Sequence, residues 1–255
     1  MIYTDLGLVN TKQMFADAIK RQYAVPAFNI YNMETLQAVL DAARTTHSPV
    51  ILAISESALK YMGDNMLIGL IRGANIKPDE QIALHLDHGS SFDACKHAIE
   101  LGFSSVMIDA SKLAFAENIT LSKQVADYAH QHNVSVEAEL GTLAGIEDEN
   151  THGTYSSYTN PDDVEKFVQE TKIDSLAIAI GTSHGAYKRQ SDDESLRFDI
   201  LTEIAKRLPD FPLVLHGGSG IPDDQVKAAI QAGMRKMNIG TDVCCAFAEG
   251  TKRTI

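Results

Sequence analysis

The 255-residue sequence predicts a single-domain α/β fold, a (β/α)8 barrel, and three observations carry that expectation. Eight short apolar or β-branched runs alternate with stretches of helical period; no linker, low-complexity segment or charge block divides the chain; and nearly every run ends on a polar residue. A doubly wound open sheet is the alternative that such alternation leaves standing.

The runs are Val25 to Asn29, Val50 to Ile54, Ile82 to Asp87, Ser105 to Asp109, Val134 to Glu139, Ser175 to Ile180, Leu213 to His216 and Lys236 to Ile239. Near-continuous apolar runs suit strands covered on both faces, as in a parallel sheet. Between them, Leu36, Val39, Leu40 and Ala43 mark one helical face, and Phe92, Cys95 and Ile99 another. Asn160-Pro161-Asp162-Asp163 reads as an N-cap, a first-turn proline and acidic residues over the positive helix end, followed by Val164, Phe167 and Val168. Pro222 opens a later helix with Val226, Ala229 and Ile230 inward and Gly233 as its stop. The stretch from Leu140 to Asn160 is long for a strand-to-helix connection, and is expected to be either a disordered excursion or a mobile lid.

A formal charge of -12 and a pI near 5.1 argue against a general nucleic-acid or membrane-surface binder, while leaving small anionic substrates open. Three cysteines, Cys95, Cys244 and Cys245, are too few and irregular for a disulfide framework or a C-x-x-C zinc site, so a reducing cytoplasm is the expected home. Met1-Ile2-Tyr3-Thr4-Asp5 lacks the basic start of a secretory signal, and no apolar run approaches the roughly 18 residues of a membrane span.

The chemistry is concentrated where runs end. Ile82-Ala83-Leu84-His85-Leu86-Asp87-His88-Gly89 closes on two imidazoles and a carboxylate. A strand running to Asp87 puts His85 and Asp87 on one face and leaves His88 to open the loop. Later runs also reach His beside Gly, in Gly181-Thr182-Ser183-His184-Gly185 and in Leu215-His216-Gly217-Gly218. Reading the remaining ends adds Asn29, Ser55, Asp109, Glu139 and Asn238, all on the rim where barrels place their chemistry. Three neutral imidazoles would leave a zinc ion its full charge and an open position. Such an ion either generates hydroxide or polarises a carbonyl. Gly217-Gly218-Ser219-Gly220, ahead of the Pro222 helix, and Gly240-Thr241, one strand along, suit a phosphate, although tight turns need glycine too.

His85-Leu86-Asp87-His88, Glu137-Ala138-Glu139-Leu140-Gly141 with Gly145-Ile146-Glu147-Asp148, Gly181 to Gly185, His216 to Gly220 and Lys236-Met237-Asn238-Ile239 together resemble the class II, metal-dependent ketose-bisphosphate aldolases. The resemblance runs in order from about Asn29 to Thr241. It implies a zinc-dependent barrel, a small phosphorylated sugar as substrate, and a homodimer or homotetramer. It also implies that His88, His184 and His216 bind the catalytic zinc, with Glu139 and Asp109 at a resting position beneath it. Asp87 becomes the acid/base at the aldehyde oxygen, and Glu147 handles the proton at the dihydroxyacetone-phosphate carbon. Asn29, Ser55 and Asn238 match substrate-contacting positions; Gly185, Gly217, Gly218, Ser219, Gly240 and Thr241 match those around the phosphate and an accompanying monovalent cation, Na+ or K+. Members usually continue into a longer helical tail, so a chain ending at Thr254-Ile255 is expected to lack it.

The activity this implies is reversible cleavage of fructose 1,6-bisphosphate, with tagatose 1,6-bisphosphate as the alternative; Ser55-Glu56 resembles the fructose type more. A zinc hydrolase and a non-catalytic sugar-phosphate barrel are the other readings. Lys188 and Lys236 flank the motifs, but neither stands alone in an apolar pocket, as a Schiff-base lysine would. His47, His97, His130, His132 and His152 are expected at the surface, Cys95 on a helix's buried face, and Cys244 and Cys245 packed in the last helix. Met62 and Met66 are expected to be core or loop filler.

Overall fold

The computed structural model describes residues 2–142, 144–147, 150–152, 157–185 and 196–254. Eight strands close into a parallel barrel: β1 (Val25–Asn29), β2 (Val50–Ser55), β3 (Ile82–Gly89), β4 (Ser105–Ile108), β5 (Ser135–Leu140), β6 (Ser175–Ile178), β7 (Leu213–Leu215) and β8 (Met234–Ile239). Each pairs with the next in sequence, and β8 returns to β1 with Val25 opposite Lys236 and Ala27 opposite Asn238. The open sheet is thereby excluded, and all eight expected strands are present.

Alternation along the strands divides the core. Leu52, Ile54, Leu84, Leu86, Val106, Ile108, Val136 and Ala138 face outward onto the helices. They meet Leu36, Val39, Leu40 and Ala43 of α2 (Met33–Thr46), and Cys95 and Ile99 of α5 (Phe92–Leu101), as the helical spacing predicts. Inside the barrel, the N-terminal end is apolar and plugged by α1 (Thr11–Arg21). Its Met14, Phe15 and Ala18 pack on Val25, Ala27, Ile51, Ala53 and Ala83. Asn10 caps α1 by accepting from the Lys12 N–H, and the Thr11 hydroxyl donates to Ser135 Oγ at 2.8 Å, tying the plug to the base of β5. One layer higher, Met107, Ala177 and Val214 form a small apolar cluster of their own.

Three expectations need correction. His88 does not open a loop: β3 runs on to Gly89, and its register against β4 slips between Leu86 and Gly89. The slip is a bulge in which His88 takes a left-handed φ of 49°, so that consecutive residues Asp87 and His88 both turn inward. Of the two readings of the Leu140–Asn160 stretch, the disordered excursion is the one that gives way, since described residues within it form strands. Ala144–Glu147 pairs antiparallel with Asn150–His152 and parallel with Ser183–His184, because the backbone at Gly145 and His184 falls in register. In α10 (Thr241–Thr254), Cys244 and Cys245 are exposed; of its described residues only Thr241 and Val243 are even partly buried.

Among the described residues no helix is long and apolar enough to cross a membrane.

Candidate active site

Stepping two residues up the inner face of each strand leads from the apolar plug into a polar chamber at the C-terminal ends. Ala83 gives way to His85 and Asp87, Ala27 to Asn29, Ala53 to Ser55, Val214 to His216, and Ser135 to Glu137 and Glu139. All of the polar members of this set are buried.

Two imidazoles meet at the centre, with His88 Nε2 and His216 Nδ1 2.9 Å apart. Behind each ring stands a carboxylate: Asp109 Oδ2 lies 3.0 Å from His88 Nδ1, and Glu137 Oε1 lies 2.8 Å from His216 Nε2. A carboxylate only accepts, so each outer nitrogen carries the proton and each inner nitrogen keeps its lone pair. The inner nitrogens thus face one another across 2.9 Å, an arrangement that a metal ion bound by both, or a proton held between them, would reconcile. Asp87 stands next to this pair, and its carboxylate with the two imidazoles forms a set of donor atoms within 4.8 Å of one another. His88, Asp109 and Glu139 form a second such set, in which His88 Nδ1 is 3.9 Å from Glu139 Oε2. The donor set therefore fits a divalent metal ion.

Asp87 is fully buried yet kept ionised. Its Oδ2 accepts from Asn29 Nδ2 at 2.8 Å and its Oδ1 from Asn238 Nδ2 at 2.9 Å. Burial pushes its pKa up, but the nearby His88, His216 and Lys236 and the Asn29 hydrogen bond outweigh that and bring it down to about 2. Burial also pushes Asp109 up, and the His88 and Ser111 hydrogen bonds overcome it, leaving the carboxyl well below its ordinary range. Among the described residues, the Oδ1 atoms of the two asparagines that hold Asp87 are buried and have no hydrogen-bond partner, acceptors available to a hydroxylated molecule.

A floor of charge lies beneath. Lys236 Nζ is 2.7 Å from Glu137 Oε2 and 3.3 Å from His85 Nε2, and His85 Nδ1 is 2.8 Å from Ser105 Oγ. An ammonium only donates, so His85 accepts at Nε2 and donates from Nδ1. Burial, with Lys236 adding to it, holds the His85 pKa well below the usual histidine range.

The other expected site residues sit around this rim. The Ser55 hydroxyl caps α3 (Glu56–Met62) by accepting from the Ala58 N–H at 3.2 Å, and Ser55 lies opposite Asp87 in the β2–β3 register. In the glycine-rich loop the Gly218 N–H is donated to Asn238 O and the Gly220 N–H to Asp242 Oδ2, while Ser219 Oγ accepts from the Asp242 N–H. Gly217, at φ 66°, passes so near the next segment that a Cβ there would lie 2.6 Å from Ser183 O. That close approach brings the backbone beside His184 against the backbone beside His216. A Cβ on Gly240 would come within 3.0 Å of Asn29 Oδ1. Gly185 and Thr241 are half-buried at their strand ends. The side chains of Glu147 and His184, and all of Lys188, lie outside the described residues.

The sequence assigns no role to Glu137 or Ser105, and weighs Lys236 only as a Schiff-base lysine, a role that its contact with Glu137 does not support. The signal was present in the two-residue period: Glu137 precedes Glu139, and Lys236 precedes Asn238, by one step on the same inward face.

Fold and chamber together define a barrel enzyme with a metal-competent acidic and imidazole site at its C-terminal end. Residues 9–255 match the family described as fructose-bisphosphate aldolase class-II. A fructose-bisphosphate aldolase from Treponema pallidum is 45% identical, the match covering 99% of this chain and 88% of that protein. A 6-phospho-5-dehydro-2-deoxy-D-gluconate aldolase from Bacillus subtilis is 43% identical over 97% of this chain and 84% of its own. The crystal structure of the YdjI aldolase from Escherichia coli K12 superposes with a TM-score of 0.81 at 34% identity, covering 96% of this chain and 86% of that one. The chain belongs to the class II fructose-bisphosphate aldolase family, and it is a carbon–carbon lyase rather than a hydrolase or a non-catalytic barrel.

Proposed function

We propose that this aldolase cleaves fructose 1,6-bisphosphate reversibly to dihydroxyacetone phosphate and glyceraldehyde 3-phosphate, with a zinc ion held by His88, His184 and His216. The observation that carries the reading is the facing pair His88 Nε2 and His216 Nδ1, each turned inward by the carboxylate behind it. A zinc ion bound there would supply positive charge beside the ketone, so that the ketone oxygen could take up the electron pair released when the carbon–carbon bond breaks. The backbone contact between Gly217 and Ser183 supports His184 as the third ligand. Asp109 and Glu139 share His88 as an alternative resting place for the ion.

Asp87 takes the proton from the hydroxyl on the carbon that becomes the aldehyde, and returns it in the condensation direction. Held ionised through both oxygens, it is fixed for that task at neutral pH. Asn29, Ser55 and Asn238 contact the sugar; the free Oδ1 atoms of the two asparagines accept from its hydroxyls. Glu147, at the end of the Ala144–Glu147 strand, handles the proton at the dihydroxyacetone-phosphate carbon, carried by a segment that acts as a lid. Gly185, Gly217, Gly218, Ser219, Gly240 and Thr241 surround the phosphate and a monovalent cation, Na+ or K+. The unit is a single catalytic domain spanning 1–255, a homodimer or homotetramer working in the cytoplasm without nucleic-acid or membrane partners.

The Bacillus subtilis relative favours a second reading in which the ketose is 6-phospho-5-dehydro-2-deoxy-D-gluconate. The test is zinc-dependent release of dihydroxyacetone phosphate from that compound and from the fructose and tagatose bisphosphates, with metal content measured on the same sample. The fructose compound is expected to give the highest kcat/KM, and chelation is expected to abolish turnover. Release that is unaffected by removal of zinc, or a preference for another ketose, would overturn the corresponding part of the reading.

A further inference from the structure

The interior of a (β/α)8 barrel is ordinarily filled by branched apolar side chains, yet here Lys236 and Glu137 lie fully buried one layer below the imidazole pair. A buried ion pair at best breaks even against apolar residues of the same volume, so stability does not account for its presence. Geometry does. The two oxygens of Glu137 face opposite ways: Oε1 accepts from His216 Nε2 at 2.8 Å, and Oε2 accepts from Lys236 Nζ at 2.7 Å. Ser175 Oγ reaches Oε2 at 3.5 Å, which is too long to hold the carboxylate alone. Lys236 is itself seated by His85 Nε2 at 3.3 Å, and His85 by Ser105 at 2.8 Å. The row Ser105, His85, Lys236, Glu137, His216 thus runs from the wall of the barrel to the nitrogen that faces His88.

We infer that Lys236 is a positioning residue for the metal centre: it clamps Glu137 so that the carboxylate holds His216 with Nδ1 turned toward His88. This rests on the metal reading given above. Lys236 touches neither the candidate ion nor the substrate; it acts through Glu137. Without the ammonium the carboxylate loses the partner that fixes its rotation, and His216 loses the support that sets its orientation.

The test uses the full chain and four proteins: wild type, Lys236→Met, Glu137→Gln, and the double variant. Zinc affinity is read by competition with a chromophoric chelator, and ligand geometry by the visible spectrum of the cobalt-loaded protein. Lys236→Met is expected to weaken zinc binding about 10- to 100-fold and to change the cobalt spectrum. Because both substitutions break the same link, the double variant is expected to bind zinc within about threefold of Glu137→Gln alone. The double variant removes both charges of the pair; where either single variant fails to fold, its own zinc affinity and cobalt spectrum against wild type carry the test, and a wild-type result in it would overturn the inference. Wild-type zinc affinity and spectrum in Lys236→Met, or losses that multiply in the double variant, would overturn the inference while leaving the metal reading intact. A wild-type protein that binds neither zinc nor cobalt would remove both.

Discussion

The two ends of the barrel are made from the same eight strands and differ in almost everything else. At the N-terminal end, Val25, Ala27, Ile51, Ala53 and Ala83 close around Met14, Phe15 and Ala18 of α1, an interior with little besides hydrocarbon in it. At the other end, four residues or fewer further along, the same inward faces carry Asn29, Ser55, Asp87, Glu137, His216 and Asn238. Burying apolar area contributes about 25 cal/mol per Å², whereas buried carboxylates and imidazoles at best break even. The lower half therefore supports the fold, and the upper half holds groups that folding alone would not select. Losses at the lower end should appear as stability with little change in chemistry, and losses at the upper end as the reverse.

The largest separation is expected from His216→Ala. It removes one of the facing nitrogens, so metal content should fall to background and kcat/KM by about 10⁴-fold or more, while the unfolding midpoint moves far less than activity does. Asp87→Ala should retain the metal and lose about 10²- to 10⁴-fold in kcat, which metal analysis and steady-state kinetics on one preparation would check. An active Asp87→Ala enzyme would contradict the role given to that carboxylate. At the other end, Phe15→Ala empties the plug. It should cost about 3–5 kcal/mol in urea unfolding, with kcat/KM of the remaining folded protein within about threefold of wild type.

The smallest effect sharpens the boundary between the halves. Burial and Lys236 hold the His85 pKa below its unfolded value of about 6.5, so the unfolded chain takes up a proton there that the native state refuses. The resulting stability is complete above about pH 6.5 and is lost as pH falls, by at most about 1.4 kcal/mol per unit. In His85→Gln the decline in stability between pH 7.5 and pH 5.5 should be shallower than in wild type, as read from urea midpoints. An unchanged slope would mean that His85 takes up its proton as readily in the folded state as in the unfolded chain.

Most of this contrast can be read from a single strand. Ile82 to Gly89 alternates outward Leu84 and Leu86 with inward Ala83, His85 and Asp87, so both the outer packing and the polar gradient follow from a period of two. The eight-fold alternation and the helical faces were legible for the same reason, since local periodicity encodes which side is covered. The bulge at His88 was not, because a one-residue slip against β4 depends on a partner strand far away in sequence. Nor was the clamp on His216: Glu137 and Lys236 are separated by 99 residues and meet only once the barrel closes. The exposure of Cys244 and Cys245 escaped for a related reason. A helix's period identifies an apolar stripe without showing how much of it the barrel covers.

The three thiols provide a gauge of that closure. Cys95 is buried against Met107 O, and burial, with the charge of Glu56 adding to it, pushes its pKa up to about 12, so it resists alkylation while the native state persists. Cys244 and Cys245 remain open to reagent on α10. A maleimide should accordingly label two positions at once and the third only when α5 parts from the barrel wall. The delay between those events times the opening of the fold in a chain that needs no introduced probe.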